Sequence, residues 1–163
     1  MCKDLKDKYV ELIQQNEGII YKVINLHIDN TEDKKDLFQE ILLQAWKSFP
    51  KFEERSSFTT WLYRVSLNTV FTFRKTTNKK VETSVESLPD IKSIELNEKP
   101  HELLYLLIKQ LDKVDRTIMT LHLDSYKNKE IAEILGINVN HINVKIHRLK
   151  NQIIESYKKS THG

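Results

Sequence analysis

The stretch NKEIAEILGINVNHINVKIHR, Asn128 to Arg148, constrains this chain more than any other segment. It reads as a short helix, a tight turn and a second helix with a polar outer face. Ala132 leaves room for the second helix to cross close to the first. Gly136 follows where the chain must turn sharply and a Cβ would cost energy. Ile142 then points back from the second helix into a core. A small residue, a turn glycine and a buried aliphatic at these offsets make the signature of a DNA-binding helix-turn-helix. Helical hairpins that never touch DNA share part of that signature.

On the second helix, Ile142, Ile146, Leu149 and Ile153 fall on one stripe, which must face the core. The opposite side carries Asn140, Val144, His147 and Asn151, flanked by His141, Lys145 and Arg148. Asparagine can bond adenine bidentately, valine can pack on a thymine methyl, and arginine and lysine suit guanine or phosphate. A merely solvated face usually mixes charges of both signs. This one has no Glu or Asp between Asn138 and Gln152.

Only 3 Gly and 3 Pro occur in 163 residues, amid abundant Leu, Ile, Lys and Glu, so an all-α fold is expected. The net charge of +3 is modest for a nucleic-acid binder, so its distribution matters more than its size. From His101 onward Lys and Arg outnumber Asp and Glu by 10 to 7, which places the excess in the C-terminal part. Cys2 is the only cysteine, which rules out a disulfide within the chain or a cysteine zinc site. His141 and His147 lack the spacing of ligands on a shared helix face, so neither a metal nor a cofactor is expected. No Gly-rich phosphate loop or nucleophile motif is present, and no catalytic residue is assigned. The longest apolar run, Leu103 to Ile108, is far too short to span a bilayer. A soluble protein of the cytoplasm, without membrane insertion, is the expectation.

Two small helical domains joined by a flexible linker emerge from the periodicity. Leu5, Tyr9, Leu12, Asn16, Ile19 and Val23 recur at helical spacing from about Asp4 to His27. Asn30 and Thr31 look like a break with an N-cap, and Glu32 and Asp33 suit the positive end of a second helix. That helix carries Leu37, Ile41 and Ala45 to about Ser48. After Pro50 and the loop KFEERSS, Ser56 or Ser57 can cap a third helix reaching about Lys75. Phe58, Trp61, Leu62 and Val65 make one stripe on it; Tyr63, Leu67 and Phe71 make another. Such two-sided apolarity means either burial between neighbours or an aromatic surface awaiting a ligand. Residues 76–100 lose all periodicity and are rich in Lys, Glu, Ser and Thr, a linker composition. A second block opens near His101 with Leu103, Leu104, Leu107 and Leu111. Asp112 can then cap a helix bearing Ile118, Met119 and Leu121, ahead of the helix-turn-helix. The expected division is 1–75, linker 76–100, and 101–163.

DKKDLFQEILLQAWKSFPKFEERSSFTTWLYRVSLNTVFTFRK, residues 33–75, resembles region 2 of bacterial sigma-70 family factors of the extracytoplasmic-function (ECF) type. The matching positions are Asp36, Gln39, Glu40, Trp46, Arg55, Ser56, Phe58, Trp61, Leu62, Tyr63, Arg64 and Asn68. Residues 103–153 resemble region 4, in the right order after a linker. The resemblance implies a sigma factor that binds core RNA polymerase, directs it to promoter DNA and assists melting, with no chemistry of its own. Asp36, Leu37, Gln39, Glu40, Ile41 and Gln44 would dock on the clamp coiled coil of the polymerase. Arg55, Ser56, Ser57, Arg64, Asn68, Arg74 and Lys75 would take the minus-ten element as separated strands. Trp61 is assigned to the core with Phe58 and Val65 rather than to base stacking.

Region 4 would hold the minus-thirty-five element through Asn140, His141, Val144, Lys145, His147 and Arg148. Phosphate contacts would come from Lys127, Lys129 and the helix start near Asn138. An anti-sigma factor that clamps between the two blocks is a further expected partner. The chain departs from the family at Lys127, where Ser or Thr usually caps and where Asn128 could take that role, and at Asn143, where Lys or Arg is common. The competing function is a conventional helix-turn-helix regulator without polymerase docking, which would leave residues 33–75 without a purpose.

Overall fold

Three side-chain caps divide the chain where local chemistry says it should. In the computed structural model the helices are α1 (Cys2–His27), α2 (Thr31–Ser48), α3 (Phe58–Thr77), α4 (Pro100–Lys109), α5 (Lys113–Leu123), α6 (Asn128–Leu135) and α7 (Val139–His162). A short 3-10 turn, Phe49–Lys51, follows α2. The structure describes residues 2–77 and 100–162, with side chains over 3–73 and 101–161. Most of the expected linker, and the side chains of Arg74 and Lys75, lie outside the described residues. Asn30 Oδ1 accepts from the Glu32 and Asp33 amides at 2.9 and 3.1 Å, closing the start of α2. Ser57 Oγ accepts from the Thr60 amide at 3.2 Å and opens α3. Asp112 Oδ1 does the same for α5, from the Asp115 amide at 3.0 Å.

The helices form two compact units, Met1–Val81 and Glu82–Gly163. In the first, α1, α2 and α3 pack against one another. The α1 stripe is rotated from the expected one: Tyr9, Ile13, Ile20, Val23, Ile24 and His27 are buried, while Leu5, Leu12, Asn16 and Ile19 are only partly covered. Because α1 packs against both α2 and α3, which also pack on each other, its buried line faces the seam between them. On α2 the buried residues are Leu37, Ile41 and Ala45. On α3, Leu62, Tyr63, Ser66, Leu67, Thr69 and Val70 are buried, whereas Phe58, Trp61, Val65 and Phe71 are half-covered. The two-sided apolarity of α3 is therefore burial between α1 and α2 for Leu62, Tyr63, Leu67 and Val70, with Phe58, Trp61, Val65 and Phe71 left partly exposed.

The second unit packs α4 and α5 against α7, with α6 joining α5 and α7. All four predicted core residues of α7, Ile142, Ile146, Leu149 and Ile153, are buried. Gly136 takes φ +67°, and the Ile137 amide donates back to the Ala132 carbonyl at 3.0 Å. A Cβ built at Gly136 would meet nothing within 4 Å, so the left-handed backbone, not lack of space, demands glycine. Arg116 ties α5 to the end of α4 by donating to the Lys109 and Leu111 carbonyls at 2.7 and 3.1 Å.

Candidate nucleic-acid interface

The start of α7 is built to hold a polar face outward. Asn138 Oδ1 accepts from the Asn140 amide at 2.8 Å, so the Asn138 side chain serves the helix as its cap. The buried aliphatic stripe then leaves Asn140, His141, Val144, His147 and Arg148 exposed. Val144 is 64% exposed, the highest among the described large apolar side chains. His147 Nε2 lies 3.5 Å from Asn151 Nδ2 along the same face. These five side chains lie together on one surface, as their spacing requires.

Lys145 is different. It sits on the flank of the core stripe, and its ammonium donates to Asp115 Oδ1 of α5 at 2.7 Å. Its side chain is 18% exposed and that of Asp115 16%, so this pair is largely withdrawn from water. Lys145, expected among the DNA contacts, is thus engaged by a carboxylate of the neighbouring helix α5 in this structure.

At α6, Lys127 is the cap residue and Asn128 the first helical one. A lysine cannot accept an amide hydrogen, so only half of a capping box exists, with the Lys127 amide donating to Glu130 Oε2 at 2.8 Å. Asn128 does not take the capping role. Its Nδ2 reaches across to Asn143 Oδ1 of α7 at 2.6 Å. Lys127 and Lys129 are exposed beside this pair.

In the first unit, Leu37 and Ile41, expected among the docking residues, are 0% exposed and belong to the core. They face α1 and α3, and no partner can reach them without unfolding α2. Asp36 and Gln39 are exposed, Glu40 and Gln44 half-buried, and Gln44 Nε2 donates to Glu40 Oε1 at 2.7 Å. Leu43 (45% exposed) and Trp46 (37%) complete the outer side of α2. They stand four and seven residues after Gln39, the spacing of one helix face; Trp46 is among the family-matching positions, whereas Leu43 was not singled out from the sequence.

Asp36, Glu40 and Gln44 also form one wall of a groove of about 570 Å³, whose other wall is α3, with Val65, Asn68, Thr72 and Phe73. Of the described side chains expected at the minus-ten strand, only that of Asn68 lines this groove. Ser57 is engaged in capping α3, and Ser56 is half-buried. Arg64 is exposed, and Arg55 pairs with Glu53 at 2.9 Å in full solvent. Glu54, beside it, holds φ +57°, a strained conformation for a residue with a Cβ. Trp61 is half-covered among Phe52, Phe58 and Phe49, with ring centroids 5.1, 5.3 and 6.0 Å away. Among the described residues no group of three or more His, Cys, Asp or Glu could hold a metal ion. No described helix is long and apolar enough to cross a membrane.

Two family models match in register with these units: Sigma-70 region 2 over residues 12–80 and Sigma-70, region 4 over residues 101–153. This chain belongs to the ECF subfamily of sigma-70 factors. It directs RNA polymerase to promoters, binding core polymerase and promoter DNA without being an enzyme. It is similar to the ECF sigma factor SigW of Bacillus subtilis, 24% identical with 88% of this chain and 85% of SigW covered. It is also similar to the sigma factor YlaC of the same organism, at 23% identity and 95% coverage of both. Among solved structures, the sigma factor RpoE of Bartonella quintana, crystallised with the anti-sigma factor NepR, superposes with a TM-score of 0.69. That match has 20% identity and covers 96% of this sigma factor and 98% of RpoE. CnrH, in complex with the cytosolic domain of CnrY, gives a TM-score of 0.67 at 16% identity, over 94% of this chain and 90% of CnrH.

Proposed function

We propose a division of labour within this sigma factor. Residues 1–75 dock on core polymerase and take the minus-ten element, 101–163 read the minus-thirty-five element, and 76–100 join them. Docking uses the outer face of α2: Asp36, Gln39, Glu40 and Gln44, joined by Leu43 and Trp46 in place of Leu37 and Ile41. An acidic and amide surface around two exposed apolar side chains suits a basic, amphipathic partner helix. Arg55, Ser56, Arg64 and Asn68, with Arg74 and Lys75, take the separated strand; Ser57 contributes by starting α3. Asn140, His141, Val144, His147 and Arg148 read bases, while Lys127, Lys129 and the start of α7 near Asn138 hold phosphates. An anti-sigma factor that silences this chain in the cytoplasm completes the set of partners.

The observation that carries the promoter-reading assignment is Val144. It is 64% exposed between Asn140 and Arg148 on a helix with no carboxylate from Asn138 to Gln152. On a face otherwise made of Asn, His and Arg, its methyl groups can pack on a thymine methyl while its neighbours bond base edges. The test is run-off transcription on genomic fragments with reconstituted holoenzyme. Arg148→Ala should lower transcription from the selected promoters while core polymerase binding is retained. Loss of core binding in that variant would contradict the division.

A further inference from the structure

Relative to Ile142 at the centre of the α7 core stripe, Asn143 lies about 100° to one side and Lys145 about 60° to the other. Each meets a different helix. Asn143 is bonded to Asn128 at the first turn of α6 at 2.6 Å. Lys145 is bonded to Asp115 in the first turn of α5 at 2.7 Å, a pair largely shielded from water. Both anchors lie in the same turn as Val144, and within about a turn and a half of His147 and Arg148. The core contact itself is aliphatic, four residues whose packing sets the distance of α7 from its neighbours but is non-directional. Directional bonds on opposite flanks oppose rotation of the helix in both senses. The magnitude matters. A rotation of about 10° moves a side-chain tip about 6 Å from the axis by about 1 Å. That is more than the width of the hydrogen-bond distance range, about 0.5 Å.

We infer that the Asn128–Asn143 and Asp115–Lys145 pairs are two struts that set the angle at which α7 presents its reader face, so that Asn128, Asn143, Asp115 and Lys145 act as positioning residues for promoter discrimination. This rests on the assignment of α7 as the minus-thirty-five reader. The place where the family commonly carries a basic residue, Asn143, thus has a mechanical role here, and Lys145 is a brace instead of a DNA contact.

The test uses full-chain holoenzyme and two duplexes, one selected from a random-sequence pool by the wild-type holoenzyme and a scrambled duplex of the same composition. The readout is the ratio of the two affinities and its salt dependence, with circular dichroism melting in parallel. Asp115→Lys and Lys145→Asp should each lower the ratio about tenfold. The double variant Asp115→Lys/Lys145→Asp should return it to within about threefold of wild type, the shortfall reflecting a lysine at the positive end of α5. Its salt slope should match wild type, because no phosphate contact is lost. Asn128→Ala, Asn143→Ala and their combination should all lower the ratio equally, since either removal breaks the same bond.

A swapped variant as poor as Lys145→Asp alone, or one with a reduced salt slope, would show that Lys145 touches DNA and overturn the brace. Additive losses at Asn128 and Asn143 would overturn the other strut, as would unchanged ratios with lowered melting temperatures. Arg148→Ala is the control for the underlying assignment. If it binds both duplexes as wild type does, the reader face itself is wrong and the struts fall with it.

Discussion

Ile41→Ala separates folding from docking on α2. Ile41 is 0% exposed, sandwiched where α2 meets its neighbours, and truncation removes its three carbons beyond Cβ. At about 0.8 kcal/mol per buried carbon the transfer loss is about 2.4 kcal/mol. The unfilled space raises the total to about 3 kcal/mol, inside the range for large aliphatic-to-alanine changes in cores. For a unit the size of Met1–Val81, that lowers the melting temperature by about 15 °C. Trp46→Ala, on the outer face, should lower it far less while weakening polymerase binding more. Both tryptophans of the chain, Trp46 and Trp61, lie in this unit, so fluorescence reports its melting directly; Trp61 alone suffices for the Trp46 variant. Core polymerase pull-down at a temperature where each variant is still folded supplies the second axis. The reasoning fails if Ile41→Ala melts like wild type yet no longer binds polymerase, because Ile41 would then be a contact residue and not part of the core.

Gly136→Ala should destabilise the second unit by about 1–2 kcal/mol, the strain of a Cβ at left-handed φ, with the loss read by urea titration and no clash to relieve. Asn30→Ala removes an acceptor for two amides and should cost about 1 kcal/mol, whereas Asn30→Gly should cost only a few tenths, on the order of 0.3 kcal/mol; equal losses would refute the capping account. Burial, aided by the nearby charge of Lys150, holds the His122 imidazole below its ordinary pKa. The folded state therefore binds fewer protons than the unfolded one, and stability rises with pH across that window. Its contribution is full above the ordinary imidazole value of 6.5 and declines as pH falls below it, toward the depressed folded value. His122→Gln should flatten this dependence, and a wild-type slope in that variant would exclude His122 as its source.

The starts of α2, α3 and α5, the turn and the α7 core stripe were legible in the sequence, because each depends on atoms a few residues apart. Asn30, Ser57 and Asp112 cap helices wherever those helices go, and Gly136 is required by one φ angle. Four aliphatics on one face of α7 must be buried whatever covers them. Residues at the edge of a stripe are another matter. Whether Leu37 and Ile41 or Leu43 and Trp46 face outward depends on where α1 and α3 lie around α2. Lys145 reads as a free cation until Asp115, 30 residues away, is placed opposite it. Asn143 reads as a missing base contact until Asn128 arrives from α6. A side chain about 60–100° off a buried stripe is covered or exposed according to its neighbours. Periodicity along one helix carries no record of how close the next one packs, so those choices belonged to the tertiary structure alone.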